Sequence, residues 1–158
     1  MAKSSAGVLL YRRRDHGLEV FLVHPGGPYW HAKDAGSWSI PKGEHASNED
    51  PVAAAKREFL EETGFELEPG ELRSLAEVKL SSGKLVRAWA IEGNCDADAI
   101  RSNLFSMEWP PRSGKMQEFP EVDRAAWFTL EAASSKIHAA QRAFLARLVE
   151  IVGGSGSA

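Results

Sequence analysis

The sequence has a single cysteine, Cys95, among its 158 residues. A lone thiol excludes an internal disulfide bond, and it also excludes a zinc site built on a pair of cysteines. The five histidines are scattered along the chain without a metal-ligand spacing, so we expect each to have a structural or surface role. Cysteine use of this kind is consistent with a reducing cytoplasm.

Long apolar runs and long basic runs are absent as well. No apolar stretch reaches the roughly 18 residues that a membrane-spanning helix requires, and the first residues do not form a basic region followed by an apolar signal core. The net charge is -3, and the longest basic run is Arg12–Arg14. The chain therefore lacks the positive electrostatic field that would attract a nucleic-acid backbone. We therefore expect a soluble cytoplasmic protein that binds neither membranes nor nucleic-acid polymers.

The length and composition indicate one domain. A chain of 158 residues with 43% hydrophobic content is long enough to bury a core but too short for two ordinary domains. We predict that residues 1–152 form this single domain. Residues 153–158, Gly-Gly-Ser-Gly-Ser-Ala, have the composition of a flexible tail. Nothing in the composition indicates an oligomeric state.

Strands and helices are both predicted. Apolar and alternating runs predict strands over residues 6–12, 18–24, 38–40, 71–80, 84–91, 106–109 and 125–128. Thr129 can cap a helix that starts near Leu130, and residues 137–152 have helical periodicity. With strands on both sides of a central helix, we expect an α/β fold in which a mixed sheet lies between helices.

The central helix is the best-defined element of the sequence. Asp50 followed by Pro51 is typical of an N-cap and a first helical residue, because the carboxylate accepts amide hydrogens and proline lacks one. Gly64 is well placed to end the helix in a left-handed conformation. The helix is therefore predicted to run from about residue 51 to residue 63, over three to four turns.

Three acids share one face of this helix. Residues three and four apart are neighbours on a helix, so Glu58, Glu61 and Glu62 project together, beside a packing stripe formed by Val52, Ala55 and Phe59. A solvated acidic face would give the same pattern. Carboxylates that converge also attract a hard divalent cation such as Mg2+, which binds oxygen ligands together with substrate phosphates. A site that binds metal and phosphate is the resulting hypothesis.

The spacing of the residues around these acids resembles the Nudix box, G-x5-E-x7-R-E-U-x-E-E-x-G-U, in which U is a bulky apolar residue. Every fixed position is matched between Gly43 and Phe65. The matching residues are Gly43, Glu49, Arg57, Glu58, Phe59, Glu61, Glu62, Gly64 and Phe65. The resemblance implies a Nudix-type α/β/α sandwich with a mixed central sheet. It also implies a hydrolase that uses Mg2+ or Mn2+ to cleave a diphosphate linkage by attack of water at phosphorus.

The resemblance also assigns site residues. The metal-binding acids are matched by Glu58, Glu61 and Glu62, with Glu61 and Glu62 favoured as direct ligands. Glu49 and Arg57 match a pair that orients the loop against the helix, and Arg57 is therefore included in the catalytic set. A further acid from a later loop often completes such a site as a metal ligand or general base. Glu121 resembles that acid in its position, and Glu118 is the alternative.

Substrate contacts lie largely outside the box. The segment W-S-I-P-K-G supplies Trp38, Lys42 and Gly43 as candidate substrate-binding residues, and it resembles a segment of diadenosine polyphosphate and diphosphoinositol polyphosphate hydrolases. Lys42 is a candidate phosphate contact, although a surface lysine would look the same. The aromatics of residues 29–31 either stack on a base or cover an edge of the core. Gly43 also provides room for a tight turn or the close approach of a ligand.

The candidate substrate is a nucleotide polyphosphate, either a nucleoside triphosphate or a dinucleoside polyphosphate. No tyrosine follows the box, and Leu80 stands where ADP-ribose pyrophosphatases carry a proline. The segments VHPGGPYW and QEFPEVDRAAWF resemble a bacterial group of predicted nucleoside triphosphate pyrophosphohydrolases. A non-catalytic nucleotide or metabolite sensor on a Nudix scaffold is the alternative function, because a fold does not by itself dictate activity. An isomerase on this scaffold is the least favoured.

Overall fold

The computed structural model describes residues 4–152. It begins with a hairpin of two long strands, β1 (Ser4–Arg14) and β2 (Gly17–Pro25). They pair antiparallel, with Arg14 opposite Gly17 and Tyr11 opposite Val20. Gly17 has a φ of 122°, a left-handed value that glycine adopts without a steric penalty. The predicted pairing of the two N-terminal apolar runs is confirmed.

The remaining elements include six strands and three α-helices in the described part of the chain. In order they are β3 (Lys42–Glu44), α1 (Pro51–Thr63), β4 (Arg73–Lys79), β5 (Leu85–Glu92), β6 (Leu104–Glu108), β7 (Met116–Pro120), β8 (Val122–Thr129), α2 (Leu130–Lys136) and α3 (Arg142–Ile151). Short 3-10 helices occupy Ala97–Ala99 and Ala139–Gln141.

The central sheet is mixed, as predicted. Five of its strands follow the order β4-β5-β1-β2-β8, and β3 pairs with the first part of β1. β1 and β5 run parallel, whereas the other pairs in this sheet are antiparallel. Strands β6 and β7 form a separate antiparallel hairpin, which we call the 104–120 hairpin. β1 lies at the centre of the sheet, so both of its faces are buried.

Helices cover both faces of the sheet, which confirms the α/β/α sandwich. Because side chains alternate along a strand, Val8 and Leu10 of β1 pack in one cluster with α1, while Leu9 lies in a second cluster with α2 and α3. From the helices, the first cluster receives Ala54, Ala55 and Phe59, and the second receives Ala133, Phe144, Leu145 and Leu148.

Helix α1 has the ends that the sequence predicts. The Asp50 side chain accepts a hydrogen bond from the Ala53 amide at 3.1 Å, and Pro51 is the first helical residue. Gly64 has a φ of 80°, and its amide donates to the Leu60 carbonyl at 2.8 Å. These local contacts fix where the helix starts and stops, and they therefore fix which way its acidic face points.

The strand predicted over residues 38–40 is wrong. Trp38 and Ser39 form only isolated bridges, and the strand in this region is β3, which begins at Lys42. Two features interrupt a ladder here. The Ile40 amide donates to the Gln141 side chain at 3.1 Å instead of to a strand, and Pro41 has no amide hydrogen to donate.

The C-terminal helical region is divided where a continuous periodicity was predicted. Ile137 follows α2 in an extended conformation with a ψ of 149°, is fully buried and forms a bridge with Trp38. The His138 side chain then accepts a hydrogen bond from the Ala140 amide at 3.3 Å, and α3 starts only at Arg142. The Thr129 cap of α2 is confirmed, because its side chain accepts from the Ala132 amide at 3.2 Å.

The predicted tail, residues 153–158, lies outside the described residues, and the assignment of residues 1–152 to a single domain stays a prediction. Within residues 4–152, no helix is both long enough and apolar enough to span a membrane.

Candidate active site

The acidic face of α1 lies against the sheet and is not a freely solvated surface. Glu58 is only 7% exposed, and Glu61 and Glu62 are half-buried. Neighbouring Phe59 is 1% exposed, so the helix cannot rotate to bring these carboxylates into solvent without exposing an aromatic core residue. The interpretation of these acids as a plain solvated helix face is therefore not supported.

Arg57 links the acids of α1 to the loop before the helix. Its Nε and Nη2 atoms donate to the two oxygens of Glu49, each at 3.1 Å. Its Nη1 atom donates to Glu58 Oε2 at 2.8 Å and to Glu61 Oε2 at 3.2 Å. These hydrogen bonds, with Glu49 first, raise the pKa of Arg57 above its ordinary value. The guanidinium therefore keeps its charge and offsets the repulsion among three carboxylates.

The backbone of β3 touches two of the acids. A side-chain carbon added at Gly43 would lie 2.0 Å from both Cδ and Oε1 of Glu58, so only glycine leaves room for the carboxyl group. The Lys42 amide donates to Glu62 Oε1 at 3.3 Å. Gly43 thus accommodates Glu58 and makes a close approach to a protein side chain.

The carboxyl groups of the site outnumber the nearby cations, Arg57 and Lys42. Burial and then the neighbouring Glu58 and Glu121 raise the pKa of Glu62 to about 8, against the lowering effect of Lys42. Burial also raises the pKa values of Glu58 and Glu121, with a further contribution from Glu61 in each case. The pKa of Lys42 is lowered by burial. The raised pKa values of Glu58, Glu62 and Glu121 indicate carboxyl groups that lack water and share one negative field.

Glu121 reaches this site from the connection between β7 and β8. Its amide donates to the Asn103 carbonyl at 2.8 Å, and the Asn103 amide donates to the Glu61 carbonyl at 2.8 Å. The Glu121 carbonyl in turn accepts from the Gly26 amide at 2.9 Å. One backbone bridge therefore connects α1 to Glu121. Glu118, the alternative acid, is exposed on β7.

A cavity of about 520 Å3 opens beside these acids. Glu62 and Glu121 lie along its wall together with apolar and aromatic residues from two loops. The complete lining is Pro25, Gly26, Gly27, Pro28, Tyr29, Trp30, Glu62, Phe105, Met107 and Glu121. The cavity combines a polar end that carries two carboxylates with a larger apolar end, which is a common composition for a small-molecule site.

Trp38 is a correction to the predicted substrate contacts. It is 5% exposed, belongs to the core cluster beneath α2 and α3, and does not line the cavity. Its indole nitrogen donates to Asp34 Oδ1 at 2.8 Å, and its ring packs edge-on against Phe128 with centroids 5.0 Å apart. Lys42 is half-buried next to Gly43 and interacts electrostatically with Glu62, so it lies beside the acids as expected.

The donor atoms near the acids suit a hard divalent cation. Glu58, Glu61, Glu62 and Glu121 supply only carboxylate oxygens, the ligand type that Mg2+ prefers, and they carry the shared negative field described above. In the described conformation, no three His, Cys, Asp or Glu side chains of residues 4–152 are arranged to hold a metal ion. The Arg57 Nη1 atom donates to both Glu58 and Glu61 and balances part of their charge.

A comparison with known protein families identifies the fold. The family model of the NUDIX domain matches residues 1–148. The chain belongs to the Nudix family. It is therefore a Nudix hydrolase, and hydrolases of this family generally need divalent metal ions. The resemblance of residues 43–65 to the Nudix box is confirmed by this match over most of the chain.

Solved structures share the Nudix fold at low sequence identity. A C. elegans Ap4A hydrolase in a binary complex aligns with a TM-score of 0.68 at 23% identity, over 97% of this chain and 99% of that chain. The NUDIX domain of Shewanella oneidensis NrtR complexed with ADP ribose aligns with 0.64 at 13% identity, over 96% and 89%. A mutT/nudix family protein from Listeria innocua aligns with 0.62 at 16% identity, over 97% and 95%. These likenesses concern the fold.

Several residues of this Nudix site were not among the predicted site residues. Phe105 and Met107 alternate with the exposed Leu104 on β6, and this alternation is the signal that could have indicated a wall of a pocket. Gly26 and Gly27 belong to the segment VHPGGPYW, whose resemblance gave them no role in the site. Their positions against the 104–120 hairpin depend on a tertiary contact, which sequence spacing does not reveal.

Proposed function

We propose that this Nudix hydrolase cleaves a diphosphate linkage in a nucleotide polyphosphate, by attack of water at phosphorus and with Mg2+ or Mn2+. The main support for this proposal is that Glu62 of α1 and Glu121, from a distant part of the chain, line the same cavity beside the other box acids. An acidic end next to an apolar end suits a ligand that has metal-bound phosphates at one end and an uncharged group at the other.

Four residues are assigned to the metal: Glu58, Glu61, Glu62 and Glu121. A bound divalent ion would neutralise phosphate charge and activate a water molecule. In this proposal Arg57 orients Glu58 and Glu61 through its hydrogen bonds, and Gly43 leaves the space that Glu58 needs. Lys42, beside Glu62, contributes positive charge that contacts a substrate phosphate.

The substrate panel tests this proposal directly. The purified protein is incubated with Mg2+ or Mn2+ and with nucleoside triphosphates, Ap4A and ADP ribose, and the products are separated by chromatography. Ap4A and ADP ribose are included because one structural neighbour is an Ap4A hydrolase and another is complexed with ADP ribose. We expect turnover of at least one nucleotide polyphosphate, which stops when a chelator removes the metal. No metal-dependent turnover across the panel would refute the proposal.

A single substitution assigns the chemistry to the box. Glu61→Gln keeps the size of the side chain but removes a charged oxygen ligand, so we expect kcat to fall by at least about 100-fold, within the range reported for groups that act in the transition state. Glu66→Gln, in the exposed segment just after α1, is the matched control and should keep full activity. Equal activity of the two variants would remove Glu61 from the mechanism.

The same panel distinguishes the alternative function. Tight binding of a nucleotide with metal, but without any product, would favour a sensor on a Nudix scaffold. The lone Cys95 thiol supports a cytoplasmic location as part of this proposal.

A further inference from the structure

The apolar end of the cavity is formed by two segments that face each other. Residues 25–30 follow β2, and the 104–120 hairpin supplies Phe105 and Met107. Tyr29 and Trp30 are 57% and 40% exposed, although large aromatic side chains are usually more deeply buried. Their exposure at a cavity that also contains Glu62 and Glu121 suggests a ligand that covers them.

The lining chemistry restricts what that ligand can be. Among residues 4–152, no lysine, arginine or histidine lines the cavity, and the only charged groups in its lining are the carboxylates of Glu62 and Glu121. A phosphate chain in the apolar end would meet no cation from the lining. The only side-chain hydrogen-bond donors there are the Tyr29 hydroxyl and the Trp30 indole nitrogen. The apolar end therefore suits a flat, uncharged ring with few polar partners.

The wall that carries Phe105 is firmly held. An added side-chain carbon at Gly26 would lie 2.0 Å from the Pro120 carbonyl oxygen, and one at Gly27 would lie 3.0 Å from Phe105 Cζ. The backbone at Gly26 and Gly27 therefore lies directly against the 104–120 hairpin, with no side chain between them. Phe105 also packs against Phe119, with ring centroids 6.0 Å apart and planes at 40°. The Phe105 ring therefore packs against both Phe119 and the backbone at Gly27.

The opposite wall is held by a turn. The amides of Trp30 and His31 both donate to the Gly27 carbonyl, at 3.3 and 3.2 Å. Tyr29 packs edge-on against Trp109, with centroids 5.3 Å apart and planes at 82°. Lys33 Nζ lies 4.9 Å from the centroid of the Trp30 ring, which leaves the rest of that exposed ring for a ligand. Preformed walls lower the ordering cost of binding.

We propose that the apolar end of this cavity binds the nucleobase of the substrate by stacking on Phe105 and Trp30, and that it selects ring area over hydrogen-bond pattern. This inference rests on the proposed function, because it assumes that the phosphates lie at the acidic end. Stacking is tolerant of base identity, since every base has a π-face. The consequence is a preference for purines over pyrimidines with little discrimination between adenine and guanine.

Ligands that contain no diphosphate linkage test the pocket separately from catalysis. Affinities of AMP, GMP, UMP and ribose 5-phosphate are measured by calorimetry in the presence of Mg2+. Ribose 5-phosphate retains the sugar and phosphate of AMP but has no base. We expect AMP to bind at least about 10-fold more tightly than ribose 5-phosphate, GMP to bind within about threefold of AMP, and UMP to bind more weakly than both.

Variants locate the effect. Phe105→Ala and Trp30→Ala should each weaken AMP binding by about 5-fold or more, while leaving ribose 5-phosphate unchanged. Trp30→Phe keeps an aromatic face and should retain most of the affinity for AMP. It should also lose the component of tryptophan fluorescence that AMP quenches. Met116→Ala, on the same hairpin but outside the cavity lining, is the matched control and should behave like the unaltered protein.

The outcomes separate the two proposals. If AMP and ribose 5-phosphate bind equally, or if Phe105→Ala and Met116→Ala behave alike, the base pocket is refuted even when nucleotides are hydrolysed. If GMP and AMP differ by more than about 100-fold, hydrogen-bond readout replaces stacking as the basis of selection. If base-dependent binding is found without turnover of any nucleotide in the panel, the pocket stands and the hydrolytic proposal fails.

Discussion

Gly43 provides the sharpest stability prediction, because the atoms nearest to an added side chain all belong to one group. The three heavy atoms nearest to an added Cβ, at 2.0, 2.0 and 2.5 Å, all belong to the carboxyl group of Glu58. Gly43→Ala therefore forces that carboxyl group to move by more than about 1 Å to reach ordinary contact distance. Glu58 is buried and accepts a hydrogen bond from Arg57 at 2.8 Å, so the movement also disturbs this ion pair.

The cost has two parts. Inserting a methyl group into a packed site typically costs about 1–3 kcal/mol. The side chain of Arg57 is 39% exposed, so weakening its pair with Glu58 adds only about 0.5–1 kcal/mol after allowance for solvent screening. We expect Gly43→Ala to lower the free energy of unfolding by about 1.5–4 kcal/mol, which for a chain of this size lowers Tm by about 3–16 °C.

Urea unfolding of a double-mutant cycle attributes this cost to Glu58. In a Glu58→Ala background the added methyl has room, so Gly43→Ala should be neutral or stabilising by up to about 1 kcal/mol through its effect on the unfolded chain. Gly70→Ala is a control, because its nearest contact is the flexible end of Ile91 at 3.3 Å. Its expected effect is under about 1 kcal/mol.

The cycle has a clear refuting result. If Gly43→Ala costs the same in both backgrounds within about 0.5 kcal/mol, the additivity expected of independent sites, the close approach of Gly43 to Glu58 is not the reason that glycine is required there. The retention of Glu58 in a buried position would then need another explanation.

Two further predictions concern Arg57 and Cys95. Arg57→Lys cannot reproduce the two-point contact with Glu49, so it should destabilise the protein by about 1 kcal/mol. The control is Arg13→Lys, at an exposed pair with Glu92, which should change stability by less than about 0.5 kcal/mol. Equal effects of the two substitutions in urea unfolding would contradict the prediction. Burial raises the pKa of the Cys95 thiol to about 11, and a raised pKa keeps the thiol neutral. Its reaction with iodoacetamide at pH 8 should therefore be at least about 10-fold slower than that of the same thiol in urea-unfolded protein, and its rate should still rise above pH 9. Equal rates in folded and unfolded protein would show that Cys95 is not shielded.

Local signals predicted much of the fold. The ends of α1 follow from Asp50, Pro51 and Gly64, which act through neighbouring backbone groups, and the acidic face follows from helical spacing alone. The hairpin of β1 and β2 follows from two apolar runs and a glycine. In each case the residues that decide the structure are close in sequence, so the pattern contains the information.

Features that depend on distant contacts were not predictable in this way. Residues 38–40 look like a strand, but Gln141, about a hundred residues later, takes the Ile40 amide. Ile137 fits a helical periodicity, yet its bridge to Trp38 holds it extended. For the same reason Trp38 was predicted to contact substrate although it is a core residue.

In the candidate site, too, local spacing predicted some features, whereas others depend on distant contacts. Spacing within one helix was enough to group Glu58, Glu61 and Glu62. The position of Glu121 beside them depends on the backbone bridge through Asn103, and the apolar end of the cavity depends on Gly26 and Gly27 meeting the 104–120 hairpin. Sequence therefore grouped the acids of α1, and it left open which aromatic residues line the cavity with Glu62 and Glu121.

The Asn103 bridge has a consequence for how such a site can diversify. Asn103 and Glu121 lie immediately before and after the 104–120 hairpin, and both are tied by backbone hydrogen bonds at its base. A change of length or sequence within the hairpin would alter the wall that carries Phe105 without moving Glu121. The length and sequence of the hairpin can therefore change during evolution to suit a different ligand ring, while the acids keep their places.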